Sequence, residues 1–493
     1  MNFLGKVYSK EMYKKSHSIK FNAVMNFVLS ASSVLFPLIT FPYISRVLLV
    51  EANGRQAFAY SVIQYFVMFA SLGVPTYGIR ACAQVRDDRK KLSRTFQELF
   101  IINIVTTVLT YLVFAWSLFV VQKFQEERTL LLINSFAIIL NSIGVNWLYQ
   151  ALEEYSYITI RNIAFKFVAL ILMFSFVHNP SDLNTYAVIV VIGTFGSNIL
   201  NFVRLFKTID CKVLVPYSFK KHFKPIFIFF ATSAATSVYY SLSTSMLGFM
   251  SNSTQVGLFD ASSKIKNILI LVVSALGNVL LPRMSLYVQE GKIGEYRRLI
   301  VKAFDYVLCV SLAIIGFGVI YSREIVSFLC GEAYSEASKS LVVLLPALIF
   351  IGLSQTTGMQ MLVPNGKESV VLVSTVLGAV VDLVANVLLL NPLGAFGAAI
   401  GVSIAEFVVM IYQMIVLRTE MGFLIKKISI LPICASCVVT ILVTLVVHTF
   451  VVTNTFLSLL VGGTVFCGVY LGCLLLLRVS IAQDMLSFIF KQK

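Results

Sequence analysis

From residue 19 to residue 477 this chain keeps returning to apolar runs of about twenty residues, and that recurrence decides most of what it can become. Twenty residues of α-helix cover roughly 30 Å, the thickness of a bilayer's hydrocarbon core. A barrel strand would instead need only about 9 to 11 residues of alternating polarity. The chain is 58% hydrophobic and 13% charged, with a mean hydropathy of +0.87, which leaves no room for a soluble core with a polar surface. The expected class is therefore an all-α integral membrane protein. Fourteen spans are expected, at 19–41, 54–75, 97–119, 129–149, 160–178, 183–205, 225–249, 256–281, 300–322, 338–362, 369–390, 394–417, 428–450 and 455–477.

Cations orient such a chain, because short cytoplasmic loops hold the excess of Lys and Arg. With the N-terminus inside, 31 of the 39 Lys and Arg fall in inner tails and loops, among them Lys6, Lys10, Lys14, Lys15, Lys20, Arg161, Lys166, Lys212, Lys491 and Lys493. Six fall outside, at Arg46, Arg55, Lys123, Arg128, Arg323 and Lys339, and two lie within a span. An even span count returns the C-terminus to the same side. The net charge of +16 is spread over separate inner loops, which suits an anionic membrane surface and not nucleic acid. The first twenty residues, polar and basic, lack the apolar core of a removable signal peptide.

The two cations within a span belong to VGLFDASSKIKNILILVVSALGNVLL, residues 256 to 281, which carries Asp260, Lys264 and Lys266 in its first half. An ionisable side chain at the bilayer centre costs about 2.5 to 3.5 kcal/mol, so it normally faces a wet cavity or a partner. Asp260 and Lys264, four apart with the acid first, share one helix face, while Lys266 lies about 200° round from Lys264. Two readings stand: Lys264 lines a cavity, or both amines snorkel to the near headgroups.

A repeat is visible. Gly54 and Gly257, Arg80 and Arg283, and Arg94 and Arg297 are each 203 residues apart, and both copies run from glycine through a span to a proline, an arginine and a basic amphipathic loop. The expected plan is two parallel six-helix lobes, residues 1–205 and 225–417. A cytoplasmic linker at 206–224 joins them, and 418–493 adds spans thirteen and fourteen with a cytoplasmic tail. Transporters built of such repeats carry substrate at the repeat interface.

Other polar residues are candidates with alternatives. Arg46 follows Pro37 and Pro42 at a span end, where it is either aimed inward by a bent helix or an ordinary interfacial arginine. Gln150 and the acids Glu153 and Glu154 sit in NWLYQALEEYSYITIRN, either a polar site or an aromatic belt with solvated charges. Asp382 and Glu406, deep in spans eleven and twelve, are ion or proton sites if they are functional at all. Of eight cysteines only Cys330 falls in an outer loop, so no disulfide framework is expected. Cys434 and Cys437, a C-x-x-C within a span, read as two small packing residues. Four scattered histidines make no metal set, no catalytic motif appears, and no cofactor is called for.

Seven stretches, FPLITFPYISRVL (36–48), LGVPTYGIRACAQVRDD (72–88), NWLYQALEEYSYITIRN (146–162), VGLFDASSKI (256–265), LLPRMS (280–285), MLVPNGKE (361–368) and NPLGAFGAAIGVSIAE (391–406), jointly resemble those of bacterial polysaccharide repeat-unit flippases. These are the Wzx-type members of the MOP superfamily, alongside lipid II flippases and multidrug extruders. The resemblance implies a V-shaped, two-lobed helical fold with fourteen spans in the bacterial cytoplasmic membrane. It also implies translocation of undecaprenyl-diphosphate-linked oligosaccharide to the outer leaflet for capsule, O-antigen or related polymer, with membrane lipid and other polysaccharide assembly proteins as partners. The family's cationic cavity carries over best onto Arg46, Arg80 and Lys264, then Arg283 and Arg55, with Asp260, Asp382, Glu406 and Gln150 in supporting or ion-coupling roles. Leu49 and Ala151 stand where such proteins often show glycine. Two rivals remain: a multidrug or cation antiporter of the same fold, which would want acids in its cavity, and a membrane glycan polymerase or ligase, which would want a larger outer loop.

Overall fold

The computed structural model describes residues 19–210, 216–450 and 454–483. The N-terminal cations Lys6, Lys10, Lys14 and Lys15, the linker residues Cys211 and Lys212, and Lys491 and Lys493 lie outside the described residues, as does the side chain of Lys20. Among the described residues every regular element is helical. The helices that matter below are α1 (Ile19–Ser71), α2 (Val74–Ala83), α3 (Arg89–Val120), α4 (Arg128–Gly144), α5 (Asn146–Ala151), α6 (Tyr155–Phe176), α7 (Leu183–Val191), α8 (Asn198–Thr208), α9 (Lys220–Met250), α10 (Ser253–Gln289) and α11 (Ile293–Ile320). They continue with α12 (Ser322–Cys330), α13 (Ala337–Leu344), α14 (Ala347–Gln355), α15 (Glu368–Val416), α16 (Ile430–Phe450) and α17 (Thr455–Leu476).

Twelve helical segments among the described residues are long and apolar enough to cross a bilayer, and the protein is a multi-pass membrane protein. Two of them, Val24–Ala83 at 60 residues and Glu368–Val416 at 49, far exceed the length one crossing needs. Neither is a straight rod. In α15 the backbone leaves helical geometry at Gly394 (φ 55), and a Cβ on Gly401 would come within 3.1 Å of Asp382 and 3.4 Å of Ala385. Sixteen residues of straight helix would separate Gly401 from Ala385 by about 24 Å, so the helix has folded back on itself. In α1 the break is at Leu49 (φ 60, ψ −177), and the Asn53 amide reaches the Ile44 carbonyl at 3.4 Å, a contact a straight helix forbids. Expected spans one and two thus share α1, and spans eleven and twelve share α15.

The chain forms two compact units, Met1–Thr40 with Ala59–Ser237, and Phe41–Phe58 with Val238–Lys493. The α1 tip at 41–58 therefore belongs with the second half of the chain, although the helix on both sides of it belongs with the first.

In the first unit the chain breaks between α1 and α2 at Leu72 (φ 42) and Gly73 (φ 72). Gly73 is required twice over. Its left-handed backbone is strained for any side chain, and a Cβ there would lie 2.5 Å from the Phe230 backbone nitrogen of α9. Pro75 then opens α2, where its missing N–H costs nothing. Asp88 caps α3 by accepting from Lys90 and Lys91 backbone N–H at 3.1 Å each, and those bonds hold its carboxyl below the usual range. Phe96, Leu99, Trp147, Leu148 and Tyr149 form a buried core under this end of the unit.

In the second unit the repeat glycines meet each other. A Cβ on Gly54 would collide with the Ser253 carbonyl and the Gly257 nitrogen, and one on Gly257 with the Val50 carbonyl. Backbones cross this closely in membranes only where side chains are absent. Helices α16 and α17 pack against α11, where the buried Asp305 accepts from the Ser429 N–H at 2.8 Å ahead of α16 and Tyr470 donates to the Cys309 carbonyl at 2.9 Å.

Candidate functional site

The second unit holds two charged neighbourhoods, both built on the first half of α10. In one, Lys264 Nζ sits 2.6 Å from Asp260 Oδ2, one turn earlier on the same face, as their spacing predicts. The ammonium also lies 4.7 Å from the Phe41 ring centroid, a cation held over an aromatic face. With the two side chains 35% and 18% exposed, the pair is enclosed without being sealed.

Arg46 follows Phe41 on α1. Its Nη1 donates to the Pro42 carbonyl at 2.9 Å and its Nη2 to the Phe328 carbonyl. Phe328 is in the last turn of α12, whose carbonyls lack intrahelical partners and form the negative end of the helix dipole. Ser45 reaches the neighbouring Leu329 carbonyl at 3.4 Å. Gly331 (φ 92) follows, and a Cβ there would press on Arg46 Cγ at 3.4 Å. Both terminal nitrogens of Arg46 are thus held by carbonyls. Cys330, 1% exposed at the end of α12, feels Arg46, Lys264 and Asp260 together. Two cations from different helices, Arg46 and Lys264, thus stand with Asp260 around one buried thiol.

The other neighbourhood is deeper. Ser243 of α9 donates to Asp382 Oδ2 at 2.9 Å and accepts from Asn386 Nδ2 at 3.0 Å. Asp382 and Asn386 face Gly401 across the α15 hairpin, and the remaining side-chain oxygen of each is buried without a hydrogen-bond partner. Glu406 is buried on the returning arm. Lys266 turns away from Lys264 and comes within electrostatic reach of Glu406 and Asp382, and Tyr239 lies beside the same acids. Two acids share one cation, the reverse of the first balance.

The other expected residues lie elsewhere. Arg283 is 19 residues beyond Lys264 on α10, about 28 Å along the helix. It is exposed, with its Nε on the Tyr287 hydroxyl at 2.9 Å. Arg55 is half-buried beside Gly54. Arg80, exposed on α2, and Gln150, half-buried on α5, belong to the first unit. Glu153 and Glu154 are ion-paired, to Arg86 at 2.6 Å and Arg204 at 2.7 Å. Burial pushes the Glu154 carboxyl up against the pull of Arg204.

Sequence reasoning missed several first-unit residues. Glu98, fully buried on α3, binds Lys221 and His222 at 2.8 Å each. Arg161, 3% exposed, donates to the Ser197 carbonyl at 2.9 Å and the Asn146 side chain at 2.7 Å. Lys166 donates to Ser32 and Ser33 at 3.1 and 3.0 Å. Charge counting placed Arg161 and Lys166 in an inner loop, whereas they are 6 and 11 residues beyond the start of α6. The signal was available for both, since residues 161 and 166 fall inside the expected span 160–178.

Comparison with known proteins agrees with this architecture. A putative O-antigen transporter of Shigella dysenteriae is 24% identical over 404 residues, covering 80% of this chain and 99% of that protein. The solved structure of the lipid II flippase MurJ in an inward closed conformation superposes with a TM-score of 0.71 at 15% identity, covering 95% of this chain and 99% of that one. An inward-facing multidrug resistance MATE family transporter of the MOP superfamily superposes with a TM-score of 0.61 at 15% identity, over 80% and 96%. The fold is therefore the MOP-type helical fold. The family model described as polysaccharide biosynthesis protein matches residues 20–288, and this chain belongs to that family.

Proposed function

We propose that the protein is a flippase that moves undecaprenyl-diphosphate-linked oligosaccharide repeat units from the cytoplasmic to the outer leaflet of the bacterial cytoplasmic membrane. The observation that carries this reading is the gathering of two cations, Arg46 and Lys264, from two different helices around Phe41 and Cys330. A diphosphate cannot enter a low-dielectric medium bare, and guanidinium and ammonium donors supply what water otherwise gives. Movement of an anion outward is downhill against an inside-negative potential, by about 2.3 kcal/mol per charge per 100 mV. The relative from Shigella dysenteriae, called a putative O-antigen transporter, supports the substrate class, and it is matched over nearly its whole length.

Within this reading Arg80, Arg283 and Arg55 extend the cationic path. Asp260 orients Lys264, and Asp382, Glu406 and Gln150 are the supporting or ion-coupling candidates. Counting the α1 and α15 hairpins as two crossings each gives fourteen spans. Both termini are then cytoplasmic, with the lobe boundaries at 205 and 225 and the appended pair from 418. No covalent chemistry, cofactor or nucleic acid is involved, and the other partners are membrane lipid and further polysaccharide assembly proteins. Deleting the gene and analysing lipid-linked intermediates tests the proposal. Accumulation of a complete repeat unit on the inner leaflet, reversed by the wild-type gene, is the expected result; unchanged intermediates would defeat it.

A further inference from the structure

The segment between the two expected lobes is fastened to α3 on both sides of residues 211–215. Before them, Arg89 pairs with Asp210 at 2.9 Å, Gln97 donates to the Asp210 carbonyl at 2.8 Å, and the Asp210 N–H donates to Ser93 at 3.0 Å. After them, Arg94 donates to the Pro216 carbonyl, Tyr217 donates to Gln97 at 3.1 Å, and the Ser218 N–H donates to Glu98 at 2.7 Å. Glu98 is the centre. Its Oε1 takes Arg94 at 3.2 Å and Ser218, and its Oε2 takes Lys221 and His222 at 2.8 Å each, which uses all four lone-pair positions of a carboxylate.

His222 passes the contact on. With Arg94 and Lys221 already supplying two cations to one carboxylate, the arrangement that satisfies every group has Nε2–H donating to Glu98. Nδ1 then accepts from the Tyr77 hydroxyl at 2.9 Å. His222 is 2% exposed, so this chain of bonds is shielded from water. Tyr77 belongs to α2, which starts at the Leu72–Gly73 break and is pressed there against the α9 backbone. Its ring also stacks on Phe229. Arg80 is three residues further on, on the same face of α2.

We propose that Glu98, His222 and Tyr77 form a positioning chain that sets the direction of α2 and hence of Arg80, so that residues 216–222 and this cation move as one piece. The proposal rests on the reading of Arg80 as part of the cationic path. None of the three residues touches substrate in this scheme; they act through the helix that carries it.

The test is the alkylation rate of Arg80→Cys by a membrane-impermeant maleimide on the detergent-purified protein, read by peptide mass, with thermal melting recorded beside it. The fully buried Cys82 on the same peptide serves as the silent control. Tyr77→Phe keeps the ring and loses the hydroxyl, and should change the rate at position 80 about fivefold, the worth of one hydrogen bond. His222→Gln keeps an N–H donor for Glu98 but has no acceptor at the Nδ1 position that serves Tyr77, so it should match Tyr77→Phe and add nothing to it in the double variant. Glu98→Gln should change the rate further. An unchanged rate in Tyr77→Phe and Glu98→Gln, whatever happens to melting, would overturn the proposal, as would additive effects of Tyr77→Phe and His222→Gln. Transport scored on Arg80→Ala separates the two readings: normal transport removes Arg80 from the path and leaves the mechanical coupling to stand or fall on the alkylation rates.

Discussion

Lys264 and Lys266 are two residues apart on one helix and have opposite surroundings. Lys264 shares its neighbourhood with Arg46 and one acid, Asp260, and touches an aromatic face. Lys266 faces two acids, Asp382 and Glu406, that come from the two arms of a hairpin more than a hundred residues away. A helix turns by about 100° per residue, so a step of two nearly reverses direction. In the proposed function the first neighbourhood offers cationic charge to an anionic ligand, whereas Lys266 lies within electrostatic reach of two acids of its own unit. Both lysines have the same sequence signature, a cation within an apolar run, and only their partners tell the roles apart.

The strongest test of that difference is transport itself. Lys264→Ala and Arg46→Ala should each lower surface polymer at least about tenfold at normal membrane protein level, since each removes a charge-assisted contact to phosphate. Lys264→Arg should keep part of the activity. The assay is complementation of a flippase-null strain, normalised to protein in the membrane. Full activity of Lys264→Ala at normal expression would dissolve the contrast.

Lys266→Ala should act on folding and less on transport per molecule. It removes the cation within electrostatic reach of the buried Asp382 and Glu406, and an uncompensated buried charge is strongly destabilising. Membrane protein level should fall several-fold, and adding Glu406→Gln should restore much of it. If Lys266→Ala left the level intact while abolishing transport, the deep neighbourhood would belong to the substrate path as well.

Asp260→Asn should have a weaker effect, about two- to fivefold on transport, because it removes the group that orients Lys264 and leaves the phosphate's own contact in place. A loss as deep as that of Lys264→Ala would mean Asp260 contributes directly.

The fold was largely legible because length and apolarity alone define a membrane helix, and each expected span from three to ten matches one helical segment, with overruns of no more than two residues. The Asp260–Lys264 pair was legible because it is local. What links Lys266 to Asp382 and Glu406, or Arg46 to the α12 terminus, depends on contacts more than a hundred residues apart in sequence, which no periodicity records. Glu98 and His222 escaped for a different reason. An acid near a span end and an isolated histidine both look like ordinary interfacial residues until residues 216–222 pack against α3 and each supplies the other's partner. The 203-residue repeat was legible as spacing, yet its copies diverge: α2 starts afresh at Gly73 and Pro75, while α10 runs unbroken through Pro282 to Gln289.

The smallest expected effect concerns Cys330, which reports on the cationic neighbourhood without belonging to it. Arg46 and Lys264 favour its thiolate, but burial dominates and the thiol is pushed up to about 12. Raising a thiol above its ordinary value leaves the neutral form favoured at every pH below it, so near pH 8 only about one molecule in ten thousand carries the reactive thiolate. Maleimide on the folded protein should therefore leave Cys330 unmodified over a period that labels it fully in denaturant. Asp260→Asn removes an acid that opposes the thiolate, and Lys264→Ala a cation that favours it, so the first should speed and the second slow whatever residual labelling is measured at raised pH. Fast labelling at neutral pH would show that the end of α12 opens to solvent, and Arg46 would then lose the carbonyls that hold it in place.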